Sequence, residues 1–400
     1  MQLYHLFLLT TLANALPGYW PHPEPSGFSV GSAAYFLEDD PSGNNIVSLH
    51  ITSDGHLADP VRTPTGGAGS LMVNSTGFQN TADPLGSQGS VIVDGEYLFT
   101  VNAGSNTLSM FAIDPWNPLH PRLIGSPVDT LGEFPVSVDY SAKIQQACVL
   151  NGGAVAGVAC FSVDPYKGVK ASGPLRKLSA KIINETTPPS GPPGSAAQVL
   201  FNPDSSALFA TVKGNPGSKP VQSGSFSAWP VVDGLVCEED AIVTQDPNII
   251  LNFGFSFVDE STIFLSDPSF GTAFLGTGGN LSLAEETHLI IPDQVAVCWT
   301  QYWQPSETLY AIDAGINQIH TINASTRTLE TPIIVTGMGT SANVSGVFDS
   351  AVNNGLMYSL LDTNGISVVD LVKKEQVQYL DLEGFGQRQY YTGMATWPSW

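Results

Sequence analysis

One shape recurs along this chain and limits the folds open to it. In Glu96–Asp114 (EYLFTVNAGSNTLSMFAID) two runs of alternating apolar and polar residues flank the turn-forming cluster Asn102-Ala103-Gly104-Ser105-Asn106, so the stretch reads as a half-buried antiparallel hairpin. The pattern returns as SAAYFLEDDPSGNNIVSLHI from Ser32, ACVLNGGAVAGVACFSVD from Ala147, and ALFATVKGNPG from Ala207 with FSAWPV from Phe226. It returns again as TIFLSDPSFGTAFLG from Thr262, TLYAIDAGINQIHTIN from Thr308 and LMYSLLDTNGISVVDL from Leu356. Seven copies at a spacing of roughly 45 to 65 residues, each with room for one four-stranded unit, specify an all-β, seven-bladed β-propeller.

A short apolar strand sits just before most hairpins: SVIVDG from Ser90, VSVDYS from Val136, QVLFNPDSS from Gln198, GFSFVDES from Gly254, AVCWTQYWQPSE from Ala296 and SGVFDSAVNNG from Ser345. None precedes Ser32, but GMATWPSW from Gly393 has the right pattern at the other end of the chain. The ring is therefore expected to close by pairing of N- and C-terminal strands, which removes free sheet edges. Blades cannot bury their faces alone, so residues 16–400 are expected to form a single domain.

The first residues read as a secretory signal peptide over 1–15: an apolar core Leu6-Phe7-Leu8-Leu9, then Ala13-Asn14-Ala15 as a small-residue cleavage site before Leu16-Pro17. Five N-x-[ST] sequons, at Asn74, Asn184, Asn280, Asn323 and Asn343, agree with passage into the secretory pathway, to a secreted or vesicular destination. Four cysteines suit an oxidising compartment. Cys148 and Cys160 flank the Asn151-Gly152-Gly153 turn region and can face each other across a hairpin as a disulfide, whereas Cys237 and Cys298 either pair across neighbouring blades or stay free.

A formal charge of -22 with only 14 Lys and Arg lacks the basic footprint that nucleic acid or an anionic membrane requires. No apolar run long enough for a membrane span follows the N-terminus. The seven His never fall at metal-ligand spacing, no G-x-S-x-G elbow is present, and Asp39-Asp40 and Glu238-Glu239-Asp240, acidic clusters of a kind that can hold calcium, read rather as solvated surface on a chain acidic throughout. No metal and no cofactor are expected, and recognisable acid–base residues are scarce.

Four long connections stand out: Thr63 to Gln88, Ser179 to Ala197, Asp240 to Leu251, and the stretch from Glu383. Long loops in compact domains tend to be functional or mobile. Each joins an outermost strand to the next innermost one, so all lie on the face that carries the hairpin tips. A site on that face would gather the tips at Asn102, Lys213, Asp267, Asp313 and Asp362, with Glu133, Phe134, Gln198, Phe253, Trp299, Arg388 and Tyr390 near the mouth. Asp and Asn at hairpin tips also cap turns, and Trp299 also suits a core.

The run GSVIVDGEYLFTVNAGSNTLSMFAID, with GEFPVSVDYS, CVLNGGAVAGVACFSVD and TTPPSGPPGSAAQVLFNPDSSALFATVKG, resembles secreted fungal members of the lactonase-like seven-bladed propellers, the 3-carboxymuconate cyclase-like group related to propeller-type 6-phosphogluconolactonase. The resemblance implies a His in the strand that here begins QVLFNPD, with Arg and Glu to hold a carboxylate. This chain reads Gly194-Ser195-Ala196-Ala197-Gln198 there, and its Arg stand at 62, 122, 176, 327 and 388.

A subset of such propellers resembles the hetero-Diels-Alderases of tropolone-sesquiterpenoid pathways, which implies an intermolecular cycloaddition of a tropolone- or phenol-derived quinone methide with a humulene-type sesquiterpene. That chemistry asks for near-attack geometry and hydrogen-bond donors. Gln198, Lys213, Arg388 and Tyr390 are the catalytic donors so implied, and Phe134, Phe253, Asp267 and Trp299 line the substrate, a small apolar oxygenated metabolite. Two alternatives stand beside it: a non-catalytic ligand-binding or cell-wall glycoprotein, and a lactonase or muconate-cyclase-type enzyme.

Overall fold

The computed structural model describes residues 31–398 apart from Ser75. The signal peptide expected over residues 1–15, and the lead-in up to residue 30, lie outside the described residues. Seven antiparallel sheets form the blades, numbered here by their hairpins from Ser32 (blade 1) to Leu356 (blade 7). In blades 2 to 7 the innermost strands are Val91–Asp94, Pro135–Ser141, Ala196–Phe201, Phe255–Phe257, Val297–Trp303 and Val347–Asn353. Blade 1 takes its innermost strand, Tyr391–Trp397, from the far end of the chain. It pairs with Ser32–Glu38, setting Ala33 opposite Trp397 and Glu38 opposite Tyr391. The closure expected from sequence is the one found.

The hairpins are more deeply buried than their alternating pattern implies. Gln146–Asn151, Ala207–Val212 and Thr308–Asp313 are buried at every residue, on both faces of the strand. The cause is blade-on-blade packing: each sheet is covered on both sides. The polar positions of the alternation are accordingly small hydroxyls and amides, such as Thr100, Ser109, Thr211, Ser266 and Ser359, all within 1 % of full burial.

The outermost strand departs from the simple four-strand unit. In blades 2, 3, 4 and 6 it breaks into two short pieces that both pair with the third strand. Pro127, Pro174 and Pro332 fall in three of these breaks. Proline has no N–H for the ladder, and a broken edge is a poor template for further pairing.

Cys148 and Cys160 are register partners in blade 3 and form a disulfide, with Cα atoms 4.1 Å apart. Cys298 is free and buried, and Cys237 is free and half-buried.

Candidate functional site

The hairpin tips hold the fold together. Asp267 accepts the N–H groups of Ile250 and Leu251 at 2.8 and 3.0 Å, and Asp313 accepts those of Val295 and Ala296 at 2.9 and 2.8 Å. Asp362 accepts Ser345 N–H at 3.0 Å, and Asp39 accepts Ser70 N–H at 3.2 Å. Asp267, Asp313 and Asp362 thus clamp the connection arriving from the preceding blade, and Asp39 clamps the one leaving its own. Asn102 uses its amide on Thr107 and Ser109 and its oxygen on Asn44 and Thr65. Asp39, read from sequence as part of a solvated pair, is fully buried because it serves this role; Glu238, Glu239 and Asp240 are exposed.

The mouth on the loop-rich face is roofed by the first long connection. Gly66-Gly67-Ala68-Gly69 carries it across the blade 2 hairpin so closely that a Cβ on Gly104 would lie 2.0 Å from Gly69 O. Residues 83–88 then cross the axis. Ser87 Oγ donates to Val136 O (2.7 Å) and Ser137 Oγ to Gln88 O (2.7 Å), both in blade 3. Gln88 N donates to Ala197 O in blade 4 (3.1 Å), Trp299 Nε1 in blade 6 donates to Ser87 O (2.9 Å), and the Gln88 amide exchanges two hydrogen bonds with Thr300.

Beneath this roof lies a layer of charged groups. Lys213, 1 % exposed, donates to Gly86 O at 2.6 Å and Ala196 O at 2.9 Å. Thr392 Oγ1 stands 3.5 Å from an oxygen of Asp83 and 3.5 Å from one of Asp349. Arg388 donates Nε to Leu361 O and Nη1 to Tyr391 O, while its buried Nη2 has no partner among the described residues. Neither Lys213 nor Arg388 makes a direct ion pair among the described residues.

Burial shifts every member of the layer toward its neutral form. The Asp83 carboxyl is pushed up to about 6, with Lys213 and Arg388 pulling it back. The Lys213 ammonium is brought down to about 8, opposed by Asp83, and the Arg388 guanidinium to about 10. Asp349 is held well above the usual carboxylate range, by burial first and then by the charge of Asp83.

An aromatic arc joins the two cations. Lys213 Nζ lies 4.4 Å from the centre of the Phe253 ring, Phe253 is 5.1 Å from Trp299, Trp299 is 5.2 Å from Phe348, and Arg388 lies 4.8 Å from Phe348. Of the residues singled out from sequence, Lys213, Phe253, Trp299 and Arg388 therefore meet in one layer. Gln198 is buried and its Oε1 accepts Phe255 N–H at 2.7 Å. Tyr390 is half-buried beside Arg388. Phe134 is buried where blade 3 begins, its N–H bonded to Asn106 Oδ1, and Asp267 is held at its own hairpin tip.

Sequence reasoning missed Asp83, Phe348, Asp349 and Thr392. Phe348 and Asp349 lie where the register of the first two strands of blade 7 slips. Such bulges re-aim side chains, and no residue type marks the slip itself. An Asp in the middle of the apolar run Gly346-Val347-Phe348-Asp349 was the available signal.

At the other end of the axis the inner strands enclose a cavity of about 350 Å³, opening on the face opposite the long connections. Val91 to Asp94, Asp139, Tyr140, Gln301 and Ser350 are among its lining. Ser350 directly follows Asp349, so the cavity and the charged layer share inner strands. Asp139 accepts Phe201 N–H at 2.7 Å, which ties blade 3 to blade 4. Among the described residues no group of three or more His, Cys, Asp or Glu is placed to hold a metal ion, and no helix is long and apolar enough to cross a membrane.

No protein-family model and no curated protein matches the chain. Solved structures do. The periplasmic gluconolactonase of Pseudomonas aeruginosa is similar at a TM-score of 0.62 and 14% identity, over 91% of this chain and 99% of that one. A protein from Lactobacillus plantarum gives a TM-score of 0.60 at 13% identity, over 92% and 99%. A Bacteroides uniformis structure described as a candidate 6-phosphogluconolactonase gives 0.54 at 15%, over 75% and 82%. At these identities the likeness carries the fold: the chain is a seven-bladed β-propeller of the architecture found in gluconolactonase-like structures.

Proposed function

We propose that the protein is a cofactor-independent enzyme of lactonase or cyclase type, which opens or closes an oxygen-containing ring in a small metabolite at the charged layer on the propeller axis. The observation that carries this reading is the layer itself. Asp83, Lys213, Arg388 and Asp349 are all buried and, among the described residues, make no direct ion pairs, and Arg388 keeps an N–H with no partner there. Burying ionisable groups is costly unless they are paired, and strongly perturbed groups cluster where chemistry is done.

The roles follow from protonation. In ring opening, Asp83, poised at about 6, takes a proton from water as its oxygen bonds to the lactone carbonyl carbon. The free Nη2–H of Arg388 stabilises the oxyanion that forms. The ring C–O bond then breaks, and Lys213, poised at about 8, gives its proton to the departing ring oxygen. The product is the hydroxy acid, and ring closure is the same sequence reversed. Because residues 83–88 close the loop-rich mouth, this reading requires substrate to reach the layer from the cavity at the other end, whose lining stops one residue short of it at Ser350. Burial pushes the Asp139 carboxyl there up to about 7 and raises that of Asp94, so it is chiefly the chain's net charge of -22 that favours a neutral lactone as the entering species and repels the carboxylate product.

The aromatic arc supports a second reading. Phe253, Trp299 and Phe348 form a buried apolar arc with Lys213 and Arg388 at either end, and two apolar reactants would have to displace part of it to stack there. Such a site suits the hetero-Diels-Alder addition of a tropolone- or phenol-derived quinone methide to a humulene-type sesquiterpene. One experiment separates the readings. Purified protein and its Asp83→Asn variant are offered a panel of γ- and δ-lactones under pH-stat, and separately a quinone-methide precursor with humulenol. Lactonase chemistry requires ring opening above background that falls by about 10²-fold or more in the variant. Cycloaddition requires a single stereoisomer formed faster than background by both proteins. Acceleration of neither reaction leaves a non-catalytic ligand-binding protein.

A secreted or vesicular location is supported by the Cys148–Cys160 disulfide and by the exposure of Asn184, Asn280 and Asn343 in their sequons. Asn74 and Asn323 are half-buried. Glycosylation at all five is part of this proposal, read by the mass lost on treatment with a peptide-N-glycosidase.

A further inference from the structure

A groove of about 590 Å³ lies between blades 6 and 7, on the face opposite the long connections and beside the axial cavity, with which it shares Gln301 and Val352. Its size is that of small-molecule sites, roughly 300–1,000 Å³. The first strand of blade 6 supplies Tyr302 and Trp303, the turn after it Gln304 and Pro305, and blade 7 supplies Asn354, Gly355 and Val372.

Trp303 is a fixed platform. Gly355 has φ +77, and a Cβ there would come within 3.2 Å of the Trp303 ring, so the glycine lets the indole lie directly on the backbone of blade 7. The ring is half-exposed. Around it stand polar groups that the fold does not use. Trp303 Nε1 and the amides of Gln304 and Asn354 have no hydrogen-bond partner among the described residues, while Gln301 Nε2 is taken by Ser350 O at 2.5 Å.

Charge narrows the ligand. None of the groove's lining residues is an acid or a base, on a chain whose formal charge is -22. Neither a cation nor an anion would find a counter-charge in the groove. A flat aromatic molecule would satisfy the indole and leave the surrounding amides unpaired. A pyranose ring presents an apolar C–H face to an aromatic platform and hydroxyls at its edge to amide groups, so it satisfies both.

We propose that the groove between blades 6 and 7 is a binding site for a neutral oligosaccharide, stacked on Trp303 and held at its edges by Gln304 and Asn354. The site is separate from the charged layer and stands whether or not that layer is catalytic.

The test is titration of the full, folded protein with cellotriose, laminaritriose and N,N′,N″-triacetylchitotriose, followed by tryptophan fluorescence and by saturation-transfer NMR. At least one should bind with half-saturation at or below about 1 mM. Trp303→Ala should weaken it by about tenfold or more, and Gln304→Ala, an exposed change that leaves the fold alone, by about threefold. Trp116→Ala, at an exposed tryptophan in blade 2 that lines no part of the groove, should leave binding unchanged. The proposal is overturned if no trisaccharide binds at about 10 mM, or if Gln304→Ala and Trp303→Ala both bind as the parent does. It is equally overturned if a flat aromatic probe such as 4-hydroxycoumarin occupies the groove and no saccharide does.

Discussion

Asp39 offers a direct measure of what the tip carboxylates cost the fold. Its side chain is fully buried, accepts Asn44 Nδ2 at 3.0 Å and Ser70 N–H at 3.2 Å, and is pushed up from 3.8 to about 7, by burial first, with Asp40 adding to the rise. The folded state therefore holds a proton that the unfolded chain releases at lower pH. The stability that goes with it is complete below about pH 4 and is lost as pH climbs to about 7. Three pH units at about 1.4 kcal/mol each make this on the order of 4 kcal/mol.

Asp39→Asn removes the titration and keeps an acceptor for Ser70, as Asn102 and Asn151 do in buried tips of blades 2 and 3. Equilibrium urea unfolding of parent and variant at pH 4.5, 6 and 8 reads the difference. The variant should match the parent or fall about 1 kcal/mol below it at pH 4.5. It should overtake the parent by about pH 5 and exceed it by a few kcal/mol at pH 8, with the ceiling at about 4. A stability difference that stays constant within about 0.5 kcal/mol across this range would refute the reasoning.

Three further outcomes are expected. Gly104→Ala places a Cβ 2.0 Å from Gly69 O, backbone that cannot step aside cheaply, and should cost about 2 kcal/mol or more in the same urea assay. The double variant Cys148→Ala, Cys160→Ala opens a closure of sequence separation 12 and should lose about 3 kcal/mol, with a lower melting temperature under non-reducing conditions. Lys213→Met covers Phe253 without a buried cation. It should keep the near-UV circular dichroism of the parent while slowing ring opening by about 10²-fold or more, so a variant that fails to fold assigns Lys213 a structural role instead.

The turn at Asn102–Asn106 and the strand pattern around it were enough to read a hairpin, and seven such hairpins enough to read a ring. Cys148 and Cys160 could be paired from their positions across one hairpin. These features are local: alternation and turn chemistry act over a few residues, and the closing strand at Gly393 carried the same signal. Deep burial of both hairpin faces was not legible, because it depends on the neighbouring blades.

The site was legible only in pieces. Lys213 could be named as a tip residue, and Phe253, Trp299 and Arg388 as mouth residues, because blade arithmetic places strand ends and their connections on one face. Asp83 could not, since it sits in a connection whose path across the axis is set by Gln88 and Ser87 bonding to blades 3, 4 and 6. Phe348 and Asp349 depend on a register slip in blade 7 that no residue type announces.

The sequence by itself thus determined the architecture, the closure of the ring and the pairing of two cysteines, through short-range periodicity. Only the tertiary structure decided that the loop-rich mouth is roofed, that the open cavity lies at the opposite end, and that two acids and two cations share one buried layer. Those are consequences of segments far apart in the chain converging on the axis, where burial, not residue identity, sets their charge.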